Sequence, residues 1–292
     1  MEDARFAADG IAAIVSRLAR AGYGEDLRNM DFGLKGRVAI VAAASKGLGR
    51  AVAEELAREG ADVAICARGA AELERTAAAI EKASGRAPLW QALDVTRYED
   101  VRNFVAAVEK RFGAADICVT NAGGPPSKTF LEISIEEWRA AIDQNLMSAV
   151  YFAREVLPKM RARRWGRLIT ITSMTVKQPV DGLLLSNSIR AAVAGLARTL
   201  ANEFGADGIT VNNVCPGYTL TERLEQLAAK RSADAGISRE KVFEQMSAQV
   251  PMGRIGRPEE FAALVAFLAS ERASYINGTT IAVDGGWVKS LL

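Results

Sequence analysis

Apolar residues in this chain gather into short unbroken runs, separated by longer segments with helical spacing. The first run is "RVAIVAAA" (37–44), followed by "ADVAICAR" (61–68), "APLWQALDV" (87–95), "DICVTNAGG" (116–124), "GRLITITS" (166–173), "GITVNNVCPG" (208–217) and "GTTIAVDGG" (278–286). Runs of this length with little polar alternation predict strands covered on both faces, and so a parallel sheet. Between them the spacing predicts helices over 47–58, 69–84, 97–112, from 134 to about Arg163, within 181–201, and over 258–270. Gly85 stops the second helix and Thr96 is placed to cap the third. Ser134 and Glu137 form a capping box for the fourth, and Pro258 takes a first-turn position in the last. The strict strand–helix alternation predicts an α/β class, a doubly wound parallel seven-stranded sheet with helices on both faces.

Two segments break this rhythm. In residues 1–33, Phe6, Ile11, Ile14, Val15 and Leu18 recur at helical spacing around Arg17 and Arg20, until Gly22 and Gly24 end the pattern. This predicts an N-terminal amphipathic helical extension, packed on the body or on a partner subunit. The remainder, 34–292, reads as one domain. Within it, 218–257 predicts two helices, near 221–231 and 238–249, joined by "SADAGIS". A long excursion from the carboxyl edge of a strand is the place for a helical substrate lid.

Composition narrows the chemistry. The chain has 292 residues, 49% apolar and 25% charged, with a formal net charge of +2. That balance argues against nucleic acid or an acidic membrane surface as partner. The absence of histidine removes the commonest metal ligand and the usual neutral-pH base, so no metal site is expected. Cys66, Cys118 and Cys215 are isolated within apolar runs and read as buried thiols of a reducing cytoplasm. No apolar run reaches ~18 residues, so no membrane span is expected, and the first residues lack the basic-then-apolar order of a secretion signal.

The turn "AAASKGLGR" (42–50) joins the first strand to the first helix. Ser45, Lys46, Gly47, Leu48 and Gly49 there offer close backbone approach and unpaired N–H groups to a phosphate, as in a Rossmann fold. Arg68 ends the second strand where a carboxylate would select NAD, and Lys46 adds a second cation. The pair favours a 2′-phosphate, and therefore NADP over NAD. Asp94, after the third strand, is placed to accept from an adenine amino group or to act as an ordinary turn carboxylate.

These features coincide with "ASKGLGRAVAEELAREGADV", "DV" (Asp94, Val95), "NAGG" (121–124), Asn145 in "DQNLMSAV", "LITITS", "NNVCPGYTLTE" and "GRIGRPEEFAALVAFLASERASYINGTTIAVDGG". Taken in order, residues 34–287 resemble a classical short-chain dehydrogenase/reductase, in the branch of the β-ketoacyl carrier-protein reductases. The resemblance implies that Asn121, Ala122 and Gly123 face the cofactor, and that Pro216, Gly217 and Thr219 or Thr221 lie along its nicotinamide side. It also implies a small carbonyl or alcohol substrate and a homodimer or homotetramer. Ala43 stands where the family pattern has glycine, which predicts a strained turn and weakened rather than abolished binding.

The larger departure is chemical. The resemblance places the family's serine on Ser173 and its asparagine on Asn145. Thirteen residues after Ser173, at the place of the proton-donating tyrosine, stands Ser186, and at the lysine's place four further on stands Arg190. That spacing puts Ser186 and Arg190 on one helix face. A serine hydroxyl is a far weaker acid than a phenol, and Arg190 cannot release a proton as lysine does. Arg190 remains able to bind ribose hydroxyls. Lys177, four residues after Ser173, and Tyr218, after Pro216–Gly217, are the two candidate substitutes. The sequence therefore supports two readings. One is an NADP(H)-dependent oxidoreductase with a non-standard acid, and the other a non-catalytic nucleotide-binding protein on the same fold.

Overall fold

The β-branched and aliphatic runs form strands that are covered from both sides at the centre of the sheet and less completely at its edges, and that sheet sets everything else. The structure, a computed structural model, describes residues 31–291. The helix expected from Phe6 to Leu18 lies outside the described residues. Strands β1 (Val38–Ala42), β2 (Asp62–Ala67), β3 (Leu89–Ala92), β4 (Ile117–Thr120), β5 (Gly166–Ile171), β6 (Ile209–Pro216) and β7 (Thr280–Val283) form one sheet in the order β3-β2-β1-β4-β5-β6-β7. Every neighbouring pair is parallel. This is the doubly wound Rossmann architecture that the apolar pattern predicts.

Helices α1 (Gly47–Arg58), α2 (Ala70–Ser84), α3 (Tyr98–Phe112), α4 (Ile135–Ile142), α5 (Ser148–Arg163), α6 (Leu184–Phe204), α7 (Glu222–Ala235), α8 (Arg239–Ala248) and α9 (Pro258–Ala269) fill the connections. Val38, Ile40 and Ala42 of β1 join Phe104, Val108, Phe152 and Val156 in a core on one face of the sheet. By strand alternation Ala39 and Val41, both fully buried, serve the other face. There α1 packs against α9.

Three local expectations are corrected. Thr96 does not cap α3; its hydroxyl donates to Asp94 Oδ1 at 2.9 Å, and Arg97 takes the cap position without a side-chain bond. The helix beginning at the Ser134–Glu137 capping box is not continuous, because residues Asp143–Met147 form a π turn between α4 and α5. β3 is shorter than its apolar run and alternates half-buried with exposed residues, as an edge strand covered less completely than the centre does.

Candidate functional site

Strand order reverses between β1 and β4, and the crevice beyond the carboxyl ends there is where such sheets bind ligands. A cavity of about 760 Å³ occupies that position, within the usual size of a small-molecule site. Ser45, Lys46, Gly47 and Leu48 line it from the first turn. Arg68, Asp94, Val95, Asn121, Ala122 and Gly123 line it from the ends of β2, β3 and β4. Ser173, Ser186, Arg190, Pro216, Gly217, Tyr218, Thr219 and Thr221 complete the wall. Gly49, Asn145 and Lys177 stand outside that lining.

The turn is built for close approach. Gly47 has φ +57°, which favours glycine, and a Cβ on Gly49 would sit 2.4 Å from the Ala43 carbonyl oxygen, so that position admits no side chain. Ala43 itself has φ +50°, the left-handed region, which for a residue with a side chain costs about 1 kcal/mol. The methyl group is therefore a real source of strain in the turn, as its sequence position suggests. Arg50 donates the backbone bond to Lys46 O near the start of α1, which leaves the first-turn N–H groups ahead of it without helical acceptors, those of Gly47 and Leu48 on residues that line the cavity. Thr76 Oγ1 ties the turn down by donating to Ser45 O at 2.9 Å. Lys46 and Arg68 are exposed. This cradle of N–H groups and two cations fits a phosphorylated dinucleotide. Asp94 is partly engaged at its own turn, where Oδ1 accepts from Thr96 N and Oγ1.

At the far side of the cavity Ser186 and Arg190 are tied to their surroundings. Ser186 Oγ lies 3.0 Å from Thr175 Oγ1, and both are buried. Arg190 is 7% exposed, and its guanidinium donates to the carbonyls of Ile171, Thr172 and Ala122. Burial, with a contribution from the charge of Arg223, lowers its pKa to about 10, so it stays protonated at neutral pH. Ribose binding by Arg190, anticipated from its position, thus competes with three carbonyl acceptors. Ser173 Oγ accepts from Thr175 N at 3.2 Å, leaving its own proton for a ligand. Asn145, in the π turn, donates to Ala141 O, while its Oδ1 is buried without a partner among the described residues.

The two candidate donors diverge. Lys177 follows the short turn Met174–Val176, is half-buried, and does not line the cavity. Tyr218 lines the cavity and is 6% exposed. Its ring meets Trp287 edge-on at 5.8 Å between centroids. Its hydroxyl donates to Gln249 Oε1 at 3.3 Å and accepts from Arg231 Nη1 at 3.3 Å. Thr175, Arg223, Arg231 and Gln249 join the site through the fold and belong to none of the sequence motifs. The two arginines carried a signal, since they flank Leu224 and Leu227 on the amphipathic helix α7.

Fold and site together define an α/β protein of the dinucleotide-binding kind, with a largely apolar pocket that carries a few hydroxyl and guanidinium groups. Residues 42–288 match the family described as Enoyl-(Acyl carrier protein) reductase. A 3-oxoacyl-(acyl-carrier-protein) reductase of Haemophilus influenzae is 35% identical over 253 residues, which cover 87% of this chain and 98% of that one. A D-beta-hydroxybutyrate dehydrogenase of Rhizobium meliloti is 33% identical, over 86% of this chain and 98% of its own length. Among solved structures, L-sorbose reductase from Gluconobacter frateurii, complexed with NADPH and L-sorbose, is similar with a TM-score of 0.85 and 36% identity. That similarity covers 89% of this chain and all of the other. The chain belongs to the short-chain dehydrogenase/reductase family of NAD(P)-dependent oxidoreductases.

Proposed function

We propose that this protein is an NADP(H)-dependent oxidoreductase that interconverts a carbonyl and an alcohol, with Tyr218 as the proton donor in place of the missing tyrosine. The observation that carries the reading is that Tyr218, hydrogen-bonded by a cation, lines the same cavity as Ser173. Lys46 and Arg68 would hold the 2′-phosphate, and the N–H groups at Gly47 and Leu48 the pyrophosphate. The L-sorbose reductase complex with NADPH supports the choice of cofactor. When bound, the nicotinamide supplies the hydride.

The chain's own residues then have distinct tasks. Ser173 donates a hydrogen bond to the substrate oxygen, keeping its own proton, and fixes the direction of that oxygen. Tyr218 turns its proton from Gln249 Oε1 to that oxygen as negative charge develops there. Arg231, donating to Tyr218 Oη, stabilises the phenolate that remains. Trp287 Nε1 also donates to Gln249 Oε1, which holds that acceptor in place.

Loss of the usual pair also supports a second reading, a nucleotide-binding protein without turnover. The observation in its favour is that Ser186 and Arg190 are bonded into the wall. NADPH fluorescence titration followed by a carbonyl panel separates the two. Binding with NADPH consumption on at least one carbonyl supports the enzyme. Binding with no consumption on any supports the second reading. A homodimer or homotetramer is supported by Phe130, Leu131 and Ile135, which leave large apolar surfaces exposed where α4 begins.

A further inference from the structure

Helix α7 brings to the cavity two arginines that form no ion pair with a carboxylate among the described residues. Arg223 and Arg231 lie eight residues apart and line the cavity together with Leu224 and Leu227. Arg223 Nη2 donates to Pro125 O at 2.7 Å, and its guanidinium lies so close to Gly124 that a Cβ there would meet Nε at 2.7 Å. Arg231 donates to the Tyr218 hydroxyl, and its guanidinium carbon stands 5.8 Å from the centroid of that ring. Arg190 forms a third cation nearby, and the charge of Arg223 contributes to lowering its pKa. Among the described residues, these three guanidinium groups bond carbonyls and a phenol rather than a carboxylate.

The carboxylates that share the cavity are engaged or placed elsewhere. Glu72 is paired with Arg75, and Asp94 Oδ1 with Thr96. Glu222 reaches toward Gly47 at the nucleotide turn, with Oε2 3.8 Å from a Cβ built there. Asp143 is exposed on the π turn. Removing like charges from water without a counter-charge is unfavourable. A ligand that brings negative charge between them removes that penalty and gains charge-assisted bonds, for which the guanidinium fork is well shaped.

We infer that the substrate carries an oxyanion, a carboxylate or a phosphate, held by Arg223 and Arg231 beside Tyr218. The inference rests on reading the cavity as a carbonyl-reducing site. Met174, Leu183, Leu224 and Leu227 supply an apolar wall for the carbon chain between anion and carbonyl.

The test is calorimetric titration of the full chain saturated with NADP⁺. The probes are levulinate against methyl levulinate, and dihydroxyacetone phosphate against dihydroxyacetone. The charged member of at least one pair should bind about tenfold tighter or better, roughly the yield of one charge-assisted bond. The pair that shows the preference identifies the carboxylate or the phosphate. Arg223→Gln with Arg231→Gln should abolish the preference, with NADPH affinity unchanged as the check on folding. The double lysine variant, which keeps the charge, should retain part of it. Equal affinity within both pairs, no heat from any probe, or a parallel loss of NADPH affinity would overturn the inference. Because the readout is binding, failure of Tyr218 as the donor would leave this result standing.

Discussion

Arg190 illustrates how a residue that lines the cavity can be bound into the scaffold. Its fork joins the end of β5, through Ile171 and Thr172, to Ala122 after β4. Arg190→Leu would leave those carbonyls without this donor and place an apolar group at a polar junction. The expected cost is about 3 kcal/mol, read as a lower urea midpoint. An unchanged midpoint would mean that the three bonds contribute nothing. The sequence put Ser186 and Arg190 on one helix face because that follows from spacing alone. It did not disclose the acceptors of Arg190, because they come from segments 18 or more positions away in the chain. Ala43 was legible for a related reason, since the turn imposes a left-handed φ whatever residue occupies it.

Among the elements, those fixed by local chemistry match their sequence signals best. The Ser134–Glu137 capping box forms as its residue types dictate. The π turn does not announce itself, because Asp143–Met147 continues the apolar spacing of a helix. Thr96 fails as a cap because the helix begins at Tyr98, which gives the cap position to Arg97 and leaves Thr96 one residue too early, its hydroxyl donating to Asp94 Oδ1. At the start of α9, Glu260 accepts from Arg254 Nη1 and Nη2 and from Arg257 N. Bonding to Arg254, then to the Arg257 N–H, lowers its pKa to about 2 from an ordinary 4.5. Because the folded value is depressed, its stabilisation is complete above about pH 4.5 and is lost as pH falls through about 2. Glu260→Gln should therefore flatten the dependence of the urea midpoint on pH between those limits. A slope identical to that of the unsubstituted protein would show that Glu260 does not govern this range.

At the scale of the whole molecule, the parallel order and the switch between β1 and β4 place a cavity at one end of the sheet. The apolar runs made that much readable. What they left hidden is the junction around Tyr218, where β6, the helices α7 and α8 and the C-terminal segment meet. Tyr218 packs with Leu224, Val242, Met246, Val250 and Trp287, and its hydroxyl is held by Arg231 and Gln249. No sequence motif joins residues so far apart, and only the fold makes them one site. That phenol is the centre of the proposed chemistry. The most direct test is steady-state NADPH oxidation with the best carbonyl of a panel, for the unsubstituted chain, Tyr218→Phe and Lys177→Met. We predict that Tyr218→Phe lowers kcat by about 100-fold or more, the usual contribution of a general acid, with NADPH affinity unchanged and Lys177→Met close to the unsubstituted rate. Full activity in Tyr218→Phe would contradict the account.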